Sequence, residues 1–225
     1  MALQGVILDV DGTLVLSNDA HAQAWVEAFA ANGHNVPFDT VRPLIGMGGD
    51  QVIPMLVPGL SDKKGEGKVI SQKRKELIIN RFGPNLVSAN GTRELILRMQ
   101  QDGLQLIIAT SATTEELSVL LKAAKADDLL QEATTSSDAD ASKPAPDIVE
   151  AALNKLKIDK SEAVMIGDTP YDIESASGAG VGLIAFRCGG FDDTQLQDAL
   201  AIYDDPADLL AHYDDSPLGK KTVSV

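Results

Sequence analysis

The chain alternates short apolar runs with longer stretches in which apolar residues recur every three or four positions. The short runs fall at residues 6–8, 104–109, 133–135, 163–166 and 181–186, and the third of them, Ala-Thr-Thr, is the weakest because only its first residue is apolar. Runs of this length, separated by helical periodicity, are typical of strands buried in a parallel sheet. The pattern therefore predicts an α/β fold: a doubly wound, Rossmann-like parallel sheet with helices on both faces.

One stretch, residues 17–85, has helical periodicity and contains no run typical of a strand. Apolar residues recur at helical spacing in two parts of it, with Asn18 or Asp19 as the predicted N-cap of the first: Ala22, Trp25, Val26 and Phe29, then Ile70, Leu77, Ile78 and Phe82. Residues 61–67 are charged and rich in glycine, which predicts a mobile loop. We therefore predict an all-helical cap domain, inserted into a core built from residues 1–16 and 86–225.

The C-terminal part of the chain has no further strand-like run. Residues 192–213 are acidic and predict terminal helices, and residues 219–225 predict a frayed tail. Gly178, Gly180 and Gly182 imitate the spacing of a dinucleotide-binding fingerprint, but they precede a strand, whereas that fingerprint follows one. A dinucleotide site is therefore not predicted.

The composition narrows the classes of partner. The chain has 225 residues, with 33 acidic and 19 basic side chains and a formal net charge of -14. A field of this sign disfavours nucleic acids and anionic membrane surfaces. Cys188 is the single cysteine, which excludes an intramolecular disulfide, and no apolar run reaches the ~18 residues of a membrane span. We expect a cytoplasmic protein that binds neither nucleic acid nor membrane.

Two carboxylates stand where the first strand run ends. Asp9 and Asp11 flank a single apolar residue, so the two-residue period of a strand places them on the same side of the chain. Gly12 then permits a sharp turn. Two like charges this close are costly to bury unless a cation neutralises them or one carries a proton. A solvated turn would explain Gly12 but not the pair, which predicts a metal-assisted carboxylate nucleophile with an acid beside it.

Polar residues also end two later strand runs. Thr110 and Ser111 follow the second run, immediately before a predicted helix, and Asp168 follows the fourth. Ligands bind at the carboxyl ends of the strands in a doubly wound sheet, so these residues are expected to meet Asp9. A helix N-terminus with hydroxyl groups is also suited to an anion. Thr110 and Ser111 therefore predict either a cap for the following helix or an anion site at this edge of the sheet.

A lysine and a further carboxylate complete the predicted cluster. Lys143 lies in a Ser-Lys-Pro-Ala-Pro-Asp segment, where Pro144 and Pro146 stiffen the loop at a helix start. Held in this way, its ammonium group is placed to contact a phosphate. Asp172 follows Asp168 by four residues, and two carboxylates with backbone carbonyls and water make an oxygen site suited to Mg²⁺.

These segments, beginning with Val-Ile-Leu-Asp-Val-Asp-Gly-Thr-Leu at residues 6–14, resemble in their order the phosphatase branch of the haloacid dehalogenase superfamily. The resemblance covers the whole chain, including the helical cap. It implies that Asp9 attacks phosphorus and forms an aspartyl phosphate. Asp11 would protonate the leaving oxygen and then deprotonate the hydrolytic water.

The resemblance also implies roles for the residues at the other strand ends. Thr110 and Lys143 would bind the transferring phosphoryl group, with the amide of Ser111 nearby. Asp172 would support the metal shell or orient Lys143. The implied cofactor is Mg²⁺, placed between the Asp9 carboxylate, the Asp11 carbonyl and Asp168.

The implied activity is that of a Mg²⁺-dependent phosphatase acting on a small phosphomonoester, similar to phosphoglycolate phosphatase. Asp11 argues against dehalogenases and phosphonatases, which lack an acid at that position. The alternative is a sugar phosphomutase of the β-phosphoglucomutase type. That family has an arginine in the cap loop, where this chain has Gly49. A catalytically silent interaction module would not account for intact Asp9, Asp11, Lys143 and Asp168.

The cap supplies weaker candidates for substrate contact. His21 lies near the junction of strand and cap, where it would either pack or touch the substrate or Asp11. Gly46 and Gly48 could let backbone amides approach a ligand closely. Residues 73–75 are Lys-Arg-Lys, either a basic face for the far end of the substrate or a solvated stripe.

Overall fold

The computed structural model describes residues 2–220. Its strands are β1 (Gly5–Leu8), β2 (Gln105–Ala109), β3 (Ala133–Thr134), β4 (Ala163–Gly167), β5 (Gly182–Phe186) and β6 (Ala201–Tyr203). All neighbouring pairs are parallel, in the order β3-β2-β1-β4-β5-β6. The predicted doubly wound sheet is confirmed, and β1, which ends one residue before Asp9, is one of its two central strands.

Side chains of the central strand alternate between the two faces of the sheet. Val6 and Leu8 pack into one buried hydrophobic layer, and Ile7 packs into the other. Ile7 stands in register with Ile107 on β2 and Met165 on β4. A strand covered on both faces reads as a continuous apolar run, which explains why it was visible in the sequence.

Helices cover both faces of the sheet and form the inserted part. The inserted helices are α1 (Asn18–Ala30), α2 (Phe38–Val41), α3 (Gly49–Leu56) and α4 (Gly65–Leu77), the last continued by a π-helical turn (Ile78–Phe82). The core helices are α5 (Thr92–Gln101), α6 (Thr114–Ala124), α7 (Asp147–Leu156), α8 (Pro170–Gly178) and α9 (Pro206–Ala211). Short 3₁₀ turns lie at Arg42–Leu44, Gly83–Asn85, Lys160–Glu162, Arg187–Gly189 and Tyr213–Asp215.

The inserted helices bury a hydrophobic cluster of their own, centred on Trp25 and Phe29 of α1 and Ile70 of α4. The two chain segments that join them to the sheet run side by side. The Leu16 amide donates to the Val87 carbonyl at 3.0 Å. The predicted inserted helical cap is confirmed, whereas its boundaries at residues 17 and 85 stay a prediction.

Two details of the predicted helices are wrong. Helix α4 begins inside the predicted loop 61–67, at Gly65. A Cβ on Gly67 would lie 2.3 Å from the Ser61 carbonyl oxygen. This glycine therefore lets helix α4 pack closely against the backbone that precedes it, and does not mark a mobile loop. The predicted N-cap of α1 is also wrong: Ser17 occupies that position and makes no side-chain capping bond.

The predicted terminal helices over 192–213 are wrong in part. Within that stretch the chain forms the short strand β6, paired with β5, before helix α9. Ile202 packs against one buried layer and Tyr203 against the other. A strand of three residues with acidic residues after it is too short to show the two-residue alternation of a strand in the sequence. Most of the predicted tail at 219–225 lies outside the described residues.

Across residues 2–220, no helix combines the length and apolar character needed to cross a membrane.

Candidate active site

Asp9 and Lys143 form the buried centre of the site. The Asp9 amide continues the sheet by donating to the Ile166 carbonyl at 2.9 Å, which fixes its backbone beside β4. Lys143 Nζ lies 2.5 Å from Asp9 Oδ1 and 2.7 Å from Asp172 Oδ1. The lysine side chain is 1% exposed. The ammonium group is thus held between two carboxylates at the carboxyl end of β1.

Burial sets the charge balance here. Desolvation raises the pKa of Asp9 to about 7, although the neighbouring Lys143 ammonium opposes the shift. Burial alone would lower the pKa of Lys143, but Asp172 and Asp9 together hold it above its usual range. Lys143 is therefore a permanent cation beside Asp9.

Asp168 is fully buried and shares a contact with Asp9 through Thr13. Its Oδ1 is 2.8 Å from the Thr13 hydroxyl, which is also 3.0 Å from Asp9 Oδ2. Its Oδ2 accepts a hydrogen bond from Asn18 Nδ2 at 2.7 Å. Burial, and then the charges of Asp172 and Asp9, raise the pKa of Asp168 well above its ordinary value.

These carboxylates fit a divalent cation. One oxygen from each of Asp9, Asp168 and Asp172 lies within 4.8 Å of the others, and all three side chains are buried. Lys143 balances one of the three negative charges. Burying the remaining carboxylate charges without a counter-ion costs free energy, which a bound cation would offset. Hard oxygen donors of this kind suit Mg²⁺.

Asp172 is held chiefly toward the lysine. Its Oδ2 accepts hydrogen bonds from the Thr169 hydroxyl at 2.7 Å and the Thr169 amide at 3.0 Å, while Oδ1 faces Lys143. Of its two predicted roles, this geometry favours orienting Lys143. Its role toward a metal stays a prediction.

The Asp11 side chain has different partners from Asp9. Its Oδ1 accepts hydrogen bonds from the Ser17 hydroxyl at 2.6 Å and from His21 Nε2 at 2.7 Å. Although burial favours the neutral acid, His21 and Ser17 outweigh it and lower the pKa of Asp11 to about 2. In this arrangement Asp11 is a carboxylate at neutral pH.

Arg74 links His21 to the core. Its NH2 lies 2.8 Å from His21 Nδ1, while His21 Nε2, on the other side of the ring, faces Asp11. Its NH1 donates to Glu116 of α6, an almost fully buried carboxylate. A continuous chain of contacts therefore runs from Asp11 through the inserted helices to α6.

A cavity of about 320 Å³ separates the sheet edge from the inserted helices. Asp9, Asp11, Thr110 and Ser111 lie on its core side. The Ser111 hydroxyl is buried and has no hydrogen-bond partner among the described residues. Because an unsatisfied buried donor is costly, this hydroxyl is well suited to an incoming anion.

The family model of haloacid dehalogenase-like hydrolases matches residues 6–186. This chain belongs to that family.

Relatives of this haloacid dehalogenase-like hydrolase include named phosphatases. The phosphoglycolate phosphatase of Rhodospirillum rubrum is 26% identical over 215 residues, covering 92% of this chain and 89% of the relative. Validoxylamine A 7'-phosphate phosphatase of Streptomyces hygroscopicus is 27% identical over 200 residues, covering 87% of this chain and 88% of the relative. The predicted enzyme class, a phosphoric monoester hydrolase, is confirmed.

The fold is shared with solved structures. A hydrolase from Pseudomonas syringae superimposes with a TM-score of 0.87 at 29% identity, covering 95% of this chain and 98% of that chain.

The cap residues singled out from the sequence of this haloacid dehalogenase-like hydrolase behave differently from one another. His21 contacts Asp11, one of its two predicted fates. Gly46 and Gly48 line the cavity, and a Cβ on Gly48 would lie 2.1 Å from Ser142 Oγ of the core. Of the basic face at 73–75, Arg74 and Lys75 line the cavity, whereas Lys73 lies on the exposed side of α4.

Sequence reasoning missed several polar partners in this haloacid dehalogenase-like hydrolase. Ser17 and Asn18 resemble capping residues, yet their side chains contact Asp11 and Asp168. Glu116 completes the capping box at the start of α6 and also binds Arg74. The sequence signal that could have identified Ser17 and Asn18 is their position shortly after the motif at residues 6–14 that contains Asp9.

Proposed function

We propose that this chain is a Mg²⁺-dependent phosphatase that hydrolyses a small phosphomonoester through an aspartyl phosphate on Asp9, as a phosphoglycolate phosphatase does. One observation carries the proposal. Asp9 lines the cavity together with Thr110 and Ser111. Its Oδ1 lies 2.5 Å from Nζ of the buried Lys143. A carboxylate next to a fixed cation and anion-binding donors has what phosphoryl transfer requires.

In the first step, an Asp9 oxygen attacks phosphorus and the bond to the leaving oxygen breaks. Lys143 stays protonated and offsets charge on the transferring group, while Thr110 and Ser111 donate hydrogen bonds to its oxygens. Mg²⁺, held by Asp9 and Asp168 with the Asp11 carbonyl, would neutralise further negative charge. Water then releases phosphate and restores Asp9.

Asp11 is proposed to act as the acid in the first step and the base in the second. Its ionised form, favoured by His21 and Ser17, is the form that accepts a proton from water. To serve as the acid it takes up a proton, which requires those two contacts to weaken. Since His21 belongs to the inserted helices, a movement of the cap would change the acidity of Asp11.

The substrate class follows from the cavity and the relatives. A space of about 320 Å³ suits a small metabolite, and a named phosphoglycolate phosphatase is similar over most of its length. Gly49 stands where a mutase is expected to have an arginine. A Cβ at this position would lie 3.3 Å from the Trp25 ring. This supports hydrolysis over transfer between sugar hydroxyls.

The test is phosphate release from p-nitrophenyl phosphate and a panel of small phosphate esters that includes phosphoglycolate, with Mg²⁺ and with chelator. Mg²⁺-dependent release that favours phosphoglycolate or a similar small ester supports the proposal. Interconversion of glucose 1- and 6-phosphates without net release would instead establish the mutase. Absence of both activities in a folded protein would favour an interaction module.

A further inference from the structure

The first turn of α1 contacts the predicted metal site through an amide side chain. Asn18 Nδ2 donates hydrogen bonds to Asp168 Oδ2 at 2.7 Å and to the Gly189 carbonyl at 2.9 Å. Asn18 is 4% exposed, although it is the first residue of a helix in the inserted part. It makes no capping bond to its own helix. Its side chain is therefore committed to the core.

The packing around this contact leaves little freedom. A Cβ on Gly12 would lie 2.2 Å from both Asn18 Nδ2 and Asp168 Oδ2. A Cβ on Gly189 would lie 1.8 Å from Asp168 Oδ2. Two backbone segments thus press against the carboxylate and the amide, and only glycine allows that approach. Asp168 is confined on the sides that face Gly12 and Gly189.

The amide chemistry is specific to asparagine. Both N–H donors of the side chain point at acceptors, so the opposite orientation would place Oδ1 against Asp168 and a carbonyl. Asn18 Oδ1 is buried and has no partner among the described residues. A carboxylate here would repel Asp168, and a hydroxyl could donate to only one of the two acceptors.

We propose that Asn18 is a positioning residue that fixes the Asp168 carboxylate for Mg²⁺ and so couples the inserted helices to metal binding. The proposal rests on the Mg²⁺ site of the proposed function. The outer partners of metal ligands fix their orientation, and losing one typically weakens metal affinity by about 10- to 100-fold. Coupling is reciprocal, so bound Mg²⁺ would also hold the first turn of α1 against the core.

Arg42 provides a matched control. Its NH2 also donates to the Gly189 carbonyl, at 2.6 Å, from the inserted part of the chain. Its Nε binds Asp19, and no hydrogen bond or ion pair joins it to Asp168 in the described part of the chain. Arg42→Met therefore removes a similar link between cap and core without touching the metal carboxylate.

The experiment measures Mg²⁺ affinity by calorimetry, together with the Mg²⁺-induced rise in Tm, on the full chain without substrate. Asn18→Leu keeps the branched shape in a somewhat larger side chain and removes both donors, and Asn18→Ser keeps one donor. Circular dichroism establishes that each variant is folded. We expect Asn18→Leu to weaken Mg²⁺ binding by about tenfold or more. Asn18→Ser should weaken it less, and Arg42→Met should leave it unchanged.

Wild-type Mg²⁺ affinity in both folded Asn18 variants overturns the inference. A loss of Mg²⁺ affinity in Arg42→Met equal to that in Asn18→Leu also overturns it, because Asn18 would then only tether the cap to the core. If Asn18→Leu does not fold, Asn18→Ser against Arg42→Met decides the outcome in the same way. If the wild-type protein itself binds no Mg²⁺, both this inference and the metal requirement of the proposed function fail. Wild-type binding that Asn18 does not affect leaves the proposed function intact.

Discussion

Arg74 of the inserted helix α4 forms an ion pair with Glu116 of the core helix α6, and both residues line the cavity that Asp9 also lines. Glu116 is 2% exposed and Arg74 is 18% exposed. Removing one partner of such a pair leaves the other charge poorly compensated. The pair therefore contributes to holding the cap over the site.

Glu116→Gln should lower Tm and raise KM for phosphate esters, because Arg74 loses its charged partner and its contact with His21 loosens. Breaking a buried pair costs about 3–5 kcal/mol, and partial exposure of Arg74 reduces this to about 1–2 kcal/mol. Glu115→Gln is the control, since Glu115 is exposed on the same helix. Similar melting curves and KM values for the two variants would contradict a role for the ion pair.

Asp11→Asn should distinguish acid catalysis from charge alone. The variant keeps the nucleophile but cannot protonate the leaving oxygen, so alkyl phosphates should lose more activity than p-nitrophenyl phosphate, whose leaving group needs no proton. The measurement is kcat for both substrates in wild type and variant. Equal losses for the two leaving groups would exclude Asp11 as the acid.

Gly48→Ala should impair the site although it adds one methyl group. The new Cβ would lie 2.1 Å from Ser142 Oγ, next to Lys143, so the cap loop or the lysine loop must shift. We expect a higher KM or a lower kcat, most strongly for larger substrates, with an intact fold by circular dichroism. Gly49→Ala is the matched control, with its closest contact at 3.3 Å. Wild-type kinetics in Gly48→Ala would remove this loop from the closed site.

Without Mg²⁺, the free energy of unfolding should depend on pH through Asp9. Burial raises the pKa of Asp9 from 3.8 to about 7, so the folded state favours the protonated form. The stability that protonated Asp9 adds to the folded state is fully present below its ordinary pKa of 3.8. It is lost as the pH rises through the folded-state pKa of about 7. Asp168 shifts in the same direction.

Urea unfolding at about pH 5 and about pH 8 measures this effect. Stability should fall toward the higher pH in metal-free protein, and added Mg²⁺ should reduce the fall. Asp9→Asn should show a smaller decline than wild type, since its amide does not titrate. A metal-free stability that rises over this range would contradict the assigned charge state.

Much of the fold and of the central site was predictable from the sequence. Strands buried on both faces appear as apolar runs, and β1, β2 and β4 end in the polar residues that meet at one edge. That topology alone brings Asp9, Thr110 and Asp168 together. Asp9 and Lys143 meet across 134 positions of sequence because their loops converge on this edge.

The rest depended on contacts that no local pattern encodes. Strand β6 has three residues and gains its place from pairing with β5. Asn18 and Glu116 both look like helix-terminus residues, and only the docking of the inserted helices gives them Asp168 and Arg74 as partners. Capping propensity and tertiary contact use the same residue types, so the sequence could not separate them.

Turnover by Asp9→Asn in the presence of Mg²⁺ tests the central claim most directly. An amide is a poor nucleophile and a poor metal ligand, so a variant shown to be folded should retain less than about a hundredth of wild-type kcat on p-nitrophenyl phosphate, a barrier increase of about 3 kcal/mol or more. Wild-type protein, purified in parallel, sets the scale. Activity well above that level in the folded variant would show that Asp9 is not the nucleophile.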